Sequence, residues 1–464
     1  MSSFKHKLKF ILSALKGQDK QFTSGSINRA ILLLSIPMIA EMLMESLFAV
    51  VDVFFVSKVG IEAVATVGLT ESVLMIIYSV AIGISMAMTA VVARRIGEKN
   101  PEKAAQVVFQ GLILAGALGL VLGVSGFVYG DEILRLMGAE ESLIQSSGWY
   151  TKIMFASNTS IILLFVINGV FRGAGDASIA MRSLWLANGI NIVLDPLLIL
   201  GWGPIPEMGV AGAAIATTIG RSTGVIYQVY HLFNGSSVIK LSLKFLKIRW
   251  ETVREILTLS VGGMGQFLVE TASWIFLVRV MSMFGASALA GYTIAFRVIV
   301  FTILPSWGMA NAAATLVGQN LGANRPDRAE ASVWIAAKWN MIFLGSISVL
   351  FIILAKHVLT IFIQEPEALC TGVEALRIIC IGYIFFAYGM VISQSFNGAG
   401  DTRTPLLINM AVFWVLQIPL AYFLAVTLNW EARGVFISIA LCHSIHALVC
   451  MYIFRKGKWK TVKV

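Results

Sequence analysis

Twelve apolar stretches divide the chain, at about 28–57, 62–93, 103–129, 145–171, 179–203 and 209–233, then 251–283, 287–319, 329–355, 369–396, 404–429 and 434–455. Each is long enough to cross a bilayer as a helix, which takes about 20 residues. The alternation of outer-membrane strands is absent, and the apolar runs far exceed the ~10 residues such a strand needs. The pattern predicts an all-α polytopic membrane protein of twelve transmembrane helices. The connectors alternate in charge. Basic residues gather in the N-terminal tail (Lys5, Lys7, Lys9, Lys16, Lys20), the second loop (Arg94, Arg95, Lys99, Lys103), the sixth loop (Lys240, Lys244, Lys247, Arg249) and the C-terminal tail (Arg455, Lys456, Lys458, Lys460, Lys463). The loops between them are acidic or neutral, with Asp131, Glu132, Glu140 and Glu141 in the third, Glu207 in the fifth, and Glu365 and Glu367 in the ninth. Positive loops stay cytoplasmic, so both termini are expected there.

The chain repeats itself. At an offset of 225 residues, Ser35 meets Ser260, Glu45 meets Glu270, Gly83 meets Gly308, and Gly173-Ala174-Gly175-Asp176 meets Gly398-Ala399-Gly400-Asp401. Each copy holds six helices, an even number, so the two lobes share one orientation and a parallel pseudo-two-fold axis along the membrane normal is predicted. Two like-facing bundles with a cleft between them form a transporter architecture. The expected organisation is a cytoplasmic amphipathic tail at 1–27, an N-lobe at 28–233, a cytoplasmic linker at 234–250, a C-lobe at 251–455 and a basic tail at 456–464.

Composition narrows the class further. Of 464 residues, 58% are hydrophobic and 13% charged, with a mean hydropathy of +0.83, whereas soluble domains carry about 25% charged residues. The net charge of +10 belongs to loops facing anionic lipid and not to nucleic acid. The N-terminal segment lacks a clean small-residue cleavage site and reads as a tail, not a signal peptide. Four cysteines at 370, 380, 442 and 450 have no CxxC spacing and imply neither a disulfide framework nor a zinc site. No GxxxxGK[ST], GxGxxG or HExxH motif occurs, and the one GxSxG string, Gly220–Gly224, lies inside an apolar span and not at a strand-to-helix elbow, so the chain carries no ATPase or hydrolase signature and no cofactor is expected.

Candidate chemistry lies in the few polar residues inside the spans. The first span carries Glu41, Glu45 and Asp52, and at about 100° per residue these fall within an arc of roughly 40°. Carboxylates at bilayer depth are costly and normally face a protein interior or aqueous cavity. The alternative is simple pairing with a neighbouring cation, and Glu41 suits that best. The fifth span, LANGINIVLDPLLIL, aligns Asn188, Asn191 and Asp195 on one face, with Pro196 freeing a backbone carbonyl. Such oxygen-rich surroundings suit Na⁺ or a proton relay; the alternative is a hydrogen-bonded helix contact. In the sixth span Thr217 and Thr218 add hydroxyls that alone are weak, because membrane threonines usually bond to their own helix. Arg221, one turn later, can neutralise an acid or snorkel. Glu270 in the seventh span, the repeat twin of Glu45, has Arg297 or Lys338 as a candidate ion-pair partner. The repeated GAGD suits a tight turn in which Asp176 or Asp401 caps the next helix.

Taken together, the SIPM opening of the first helix, VVDVFFV, ARRIGEKN, FRGAGD, NIVLDP and GVAGAAIATT resemble the multidrug and toxic compound extrusion (MATE) family over nearly the whole chain. The resemblance implies export of amphipathic, often cationic, compounds in exchange for inward Na⁺ or H⁺. It implies that Asp52 and Asp195 are paired N-lobe carboxylates with Asn191 and Thr217 as oxygen partners, forming a possible Na⁺ site. Asn168 resembles a further cavity residue, Pro37 the proline about which the first helix bends, and Glu270 a C-lobe glutamate used in some subfamilies. Glu45 departs from the amide common in relatives, adding an acid to the N-lobe. The tenth helix has no acid between Glu374 and Asp401, which argues against a complete C-lobe ion site.

The expectation is an antiporter of a bacterial inner membrane, working as a monomer by alternating access on small organic cations or amphipathic drugs, with membrane lipid around it and no enzymatic activity. The alternative is a flippase for a lipid-linked saccharide of the same superfamily architecture. Flippases tend to have cationic cavities, whereas the stripe here is acidic. A channel or membrane-embedded enzyme fits less well, given the two-lobe repeat and the missing catalytic motifs.

Overall fold

The computed structural model describes residues 2–17, 22–202, 205–235, 237–242 and 247–464; the side chains of 2–8 and 61 fall outside that description. Lys20 and Lys244, two of the charges that set the expected orientation, lie outside the described residues, as do the side chains of Lys5 and Lys7. The described chain is helical throughout, with one isolated bridge between Trp202 and Ile205.

A short helix α1 (Ser2–Lys16) precedes α2 (Ile27–Ser57), α3 (Ile61–Gly97) and α4 (Pro101–Val128). Then come α5 (Gly130–Leu136), α6 (Glu141–Ala156), α7 (Asn158–Ala174), α8 (Ala177–Ile199) and α9 (Gly209–Phe233). The second half contains α10 (Trp250–Met281), α11 (Ala286–Gly322), α12 (Pro326–Thr360), α13 (Pro366–Ile381), α14 (Tyr383–Ala399), α15 (Arg403–Asn409), α16 (Ile418–Tyr422) and α17 (Glu431–Arg455). Among the described residues eight helices are long and apolar enough to cross a membrane, and two bent pairs raise this to ten. Helices α2, of 31 residues, and α9, of 25, stand where the first and sixth of the twelve spans are expected.

Three spans differ from a plain helix. The fourth is α6 and α7 bent by 42°, and the tenth is α13 and α14 bent by 57°. The breaks fall at Ser157 and Gly382, equivalent positions in the 225-residue register, and sharp kinks arise at such small or helix-weakening residues. The eleventh span is wound as a π-helix at Met410–Gln417 and again at Phe423–Thr427, either side of α16. Its counterpart α8 is one α-helix through Pro196. Uniform hydrophobicity carries no signature of either feature.

The helices cluster into two compact units, one of Met1–Lys20 and Ala40–Met264, the other of Gln21–Ile39 and Gly265–Val464. In the first, α8 packs on α9 and α3 on α7; in the second, α11 packs on α12, α13 and α14, and α14 on α17. The second unit's core includes Tyr292, Ile299, Leu344, Leu376 and Phe436, with the Tyr292 and Phe436 rings stacked at 5.9 Å. The opening segments of α2 and α10 thus belong to the unit opposite to the rest of their helix.

Two repeated glycines explain how those segments seat. A Cβ on Gly83 would lie 2.6 Å from the Ser260 carbonyl oxygen of α10, and one on Gly308 would lie 2.7 Å from the Ile39 amide of α2. Each glycine lets two backbones approach more closely than any side chain allows. The GAGD turns also repeat: Gly175 and Gly400 end α7 and α14 in the left-handed region, at φ 83° and 88°. Asp401 caps α15, its Oδ1 accepting from the Thr404 amide at 3.1 Å. Asp176 instead accepts from Ser237 Oγ at 2.6 Å and the Val238 amide at 2.9 Å, holding the segment after α9 against the turn.

Gly308→Ala should therefore lose about 1–3 kcal/mol by overpacking. Thermal unfolding in detergent should show a clear fall in Tm, while Gly116→Ala, which meets nothing within 4 Å, should hold or gain stability. Equal Tm values for Gly308→Ala and wild type would refute the close-approach explanation.

Candidate functional site

The acidic face of α2 lies in the first unit, and each carboxylate has found a different environment. Glu41 is buried, 1% exposed, and its Oε1 lies 3.4 Å from the Arg172 guanidinium on α7. Glu45, half-buried, meets Arg221 of α9 at 3.6 Å and accepts from Asn188 Nδ2 of α8 at 2.9 Å. Arg221 is itself 4% exposed and rests over the Phe48 ring at 5.6 Å. It does not snorkel. Its positive charge is kept inside to neutralise Glu45, as a buried carboxylate requires. Two acids of the stripe thus form ion pairs, and the cation of each pair comes from another helix.

Among the described residues Asp52 and Asp195 form no ion pair of their own. Asp195 is fully buried. Its Oδ1 accepts from Asn191 Nδ2 at 3.3 Å, and the same amide donates to Thr217 Oγ1 at 3.0 Å. Asp52 is half-buried, within Coulombic reach of Asp195 and of Arg221. The structure brings Asn191, Asp195 and Thr217 into direct contact and places Asp52 near them. Within this cluster Asn191 Oδ1 and Asp195 Oδ2 are buried with no hydrogen-bond donor. Two acceptor oxygens left open beside a second carboxylate fit a small hard cation or a proton. Thr218 bonds to the Ala214 carbonyl of its own helix at 2.7 Å and stands apart.

The other sequence-selected residues are distributed more widely. Asn188 serves Glu45, not the Asp195 cluster. Asn168 is buried on α7 and accepts from Gln228 Nε2 at 2.6 Å. Pro37 lies within α2, which runs unbroken through it. Glu270 lies in the second unit, exposed, with Asn409 Nδ2 donating to its Oε1 at 2.8 Å. Neither Arg297 nor Lys338 reaches it: among the described residues its partner is an amide, because Asn409 occupies the facing position on α15. In the second unit a largely apolar cavity of about 460 Å³ is lined by residues including Pro305, Met309, Trp339, Phe343 and Leu350. Among the described residues no group of three or more His, Cys, Asp or Glu side chains converges as a metal centre.

Arg172, Asn409 and His446 are the polar residues that sequence reasoning missed. The repeat register could have exposed Arg172 and His446, whose equivalents are Asn397 and Arg221, but not Asn409, whose equivalent is Leu184. Glu41 and Arg172 correspond at 225 residues to Gln266 and Asn397, and those two exchange amide hydrogen bonds at 2.9 and 3.0 Å in the second unit. An ion pair in one half is an amide pair at the same place in the other. The cluster of Asp52, Asn191, Asp195 and Thr217 corresponds to Leu277, Leu416, Leu420 and Cys442, so its chemistry is confined to the first unit.

Glu41→Gln should cost about 1–3 kcal/mol, because the buried site loses the carboxylate charge that answers the Arg172 guanidinium. Adding Arg172→Asn rebuilds the amide pair of the second unit and should recover most of that stability. A double-mutant cycle by thermal or denaturant unfolding would read this as coupling; simple additivity would contradict the pairing.

Known proteins show the same organisation. The chain is similar to the probable multidrug resistance protein YoeA of Bacillus subtilis (strain 168), 26% identical and covering 95% of this chain and 96% of that one. It is 24% identical to the probable multidrug resistance protein NorM of Thermotoga maritima, covering 94% and 93%. An outward-facing multidrug resistance MATE family transporter superposes with a TM-score of 0.89 at 28% identity, over 96% of this chain and 99% of that one. Crystal structures of MATE in straight and bent conformations match at 0.89 and 0.87, each 28% identical over 95% of this chain and 99% of that one. The family model MatE matches residues 37–197 and 264–423, and on this sequence and structural correspondence the chain belongs to the MATE family of multi-pass membrane transporters.

Proposed function

We propose that this protein exports amphipathic, mainly cationic, organic compounds by alternating access, driven by inward Na⁺ or H⁺ that binds at Asp52, Asn191, Asp195 and Thr217. The observation that carries the reading is the charge inventory of α2 and α8. Glu41 and Glu45 are neutralised by Arg172 and Arg221, which leaves Asp52 and Asp195 as the carboxylates a mobile cation can compensate. The multidrug relatives support an export role, and their coverage of both halves supports the complete transport cycle.

Coupling follows from competition. Two carboxylates held close together in a poorly solvated site favour any state in which a cation or proton offsets one of them. Entry of the coupling ion removes the charge that holds a cationic drug, and the two ligands then stabilise different states, as antiport demands. Solved relatives exist with MATE in straight and bent conformations; in this chain Pro37, whose ring removes one helical hydrogen bond of α2, is the place for such bending. The alternation of basic and acidic loops supports a cytoplasmic position for both termini, and the membrane proposed is a bacterial inner membrane with the protein acting as a monomer.

Efflux of a fluorescent organic cation from inside-out vesicles, under a Na⁺ gradient or a pH gradient imposed separately, tests this. Asp52→Asn and Asp195→Asn should each reduce gradient-driven flux by at least about tenfold, since an ion-binding carboxylate is removed, with protein levels unchanged. Wild-type flux with unaltered ion dependence in either variant would overturn the assignment. Saturable efflux of a lipid-linked saccharide without cation efflux would favour a flippase.

A further inference from the structure

Helix α1 has no counterpart in the repeat. The positions equivalent to it, 227–241, are the last turns of α9 and the segment after it. It is an addition to the two six-span halves, and it packs on α8 in the first unit. Arg182, in the second turn of α8, holds its end: one guanidinium nitrogen donates to the Leu15 and Lys16 carbonyls at 3.3 and 2.9 Å. The last carbonyls of a helix have no intrahelical partner, and a cation there also answers the negative end of the helix dipole. Gly17 then stops α1 in the left-handed region at φ 65°, where any Cβ would collide with the Ser178 side chain of α8. One turn deeper along α8, Trp185 is exposed and its indole N–H donates to the Ala40 carbonyl at 2.9 Å. Exposed tryptophans of membrane helices gather at headgroup level, so α1 is seated at the surface of the bilayer.

The side chains of α1 sort by face. Ala14 is buried and Phe10 and Ser13 are half-buried, which marks the side turned to the protein. At about 100° per residue, Ile11, Leu15 and Leu12 cover a different arc of roughly 100°, and Ile11 and Leu12 are exposed. Lys16 and Lys9 follow directly beyond Leu12 and are exposed as well. Among the described residues neither lysine is held in an ion pair. Residues 1–20 carry Lys5, Lys7, Lys9, Lys16 and Lys20 against the single acid Asp19. One side of the helix is therefore seated, the next is apolar and uncovered, and the edge of that apolar side is cationic.

We propose that α1 is an in-plane surface helix that binds anionic phospholipid, with Ile11, Leu12 and Leu15 entering the acyl-chain boundary and Lys9 and Lys16 meeting the headgroup phosphates. A helix with an apolar face bordered by lysines lies in the interface plane, held by buried apolar area together with attraction to negative lipid. The uncompensated lysines select anionic over zwitterionic headgroups. Lipid is the occupant because the seat on α8 puts the open face where the bilayer surface is. The same α8 carries Asn191 and Asp195, so the lipid contact anchors the helix of the ion cluster at its first turns. The inference rests on the membrane-spanning reading of α8 and is independent of the coupling ion.

The test uses the full-length protein. Leu12→Cys, in a Cys370→Ser chain that removes an exposed native thiol, is labelled with an environment-sensitive fluorophore. The protein is placed in nanodiscs of phosphatidylcholine alone or of an equal mixture with phosphatidylglycerol. In the mixture the label should leave water, with blue-shifted emission and quenching by nitroxide-bearing lipid. The ratio of inserted to water-exposed label should fall about fivefold in Lys9→Gln and again on adding Lys16→Gln, and it should fall with added salt. Lys356→Gln, exposed near the other end of α12, should leave the ratio unchanged, which separates a local contact from an effect of net charge. Asp195→Asn should leave it unchanged whatever happens to flux, so this proposal and the ion assignment fail separately. A label that stays in water in both lipids, one that responds equally to both, or a response unmoved by the two lysine changes would overturn the proposal.

Discussion

The constraint on which the structure turns is that charge inside an apolar bundle must be answered by charge or by hydrogen bonds. Moving a carboxylate from water to a low-dielectric interior costs several kcal/mol even after relaxation. The first unit meets this cost at Glu41 and Glu45 with arginines drawn from α7 and α9. It leaves Asp52 and Asp195 with two buried acceptor atoms of the cluster unmatched. Carboxylates left without a counter-charge beside carboxylates that have one are where a transported ion has something to do. The neighbouring ion pairs matter to that account because they prevent four acids from acting as one diffuse negative cavity.

Much of this was legible in the sequence, for a physical reason. Hydrophobic thickness fixes span length, so twelve spans and two halves could be read from apolar runs and a single offset. Helical spacing put Asn191 and Asp195 on one face, and the resemblance to the MATE family joined Asp52 and Thr217 to them. The distinction among the three acids of α2 was less accessible. They share a face, and only the partner helices separate them. Glu41 looked structural because it had no acidic twin, and its pairing with Arg172 agrees with that. Arg221 could have gone either way, since a long cation at mid-helix can run along its helix toward an interface or turn inward.

What the sequence concealed was local geometry and cross-helix pairing. The breaks at Ser157 and Gly382 and the π-helical winding of the eleventh span leave no trace in hydropathy, because they alter direction without altering apolarity. Asn409 was hidden for a related reason: it closes α15 where the π-helix begins, so ordinary helical spacing drawn through the span as one helix does not say which face it shares with its neighbours. The expectation that Arg297 or Lys338 would answer Glu270 assumed a charge where the fold supplies an amide and, behind it, an imidazole. The repeat itself is the better guide. Its conserved backbone register preserves the positions at which polar groups meet, while the groups change from ion pair to amide pair, from arginine to histidine, and from carboxylate cluster to leucines.

The central claim is that Asp52 and Asp195 form the one site in the first unit where a coupling ion exchanges with a cationic drug. The most direct measurement is calorimetric binding of tetraphenylphosphonium to the purified protein in buffers of different ionisation enthalpy, with and without Na⁺. The account predicts release of about one proton, or displacement of about one Na⁺, for each cation bound, and loss of that exchange in Asp195→Asn. Cation binding that releases neither ion in the wild type, or that is unchanged in Asp195→Asn, would contradict it.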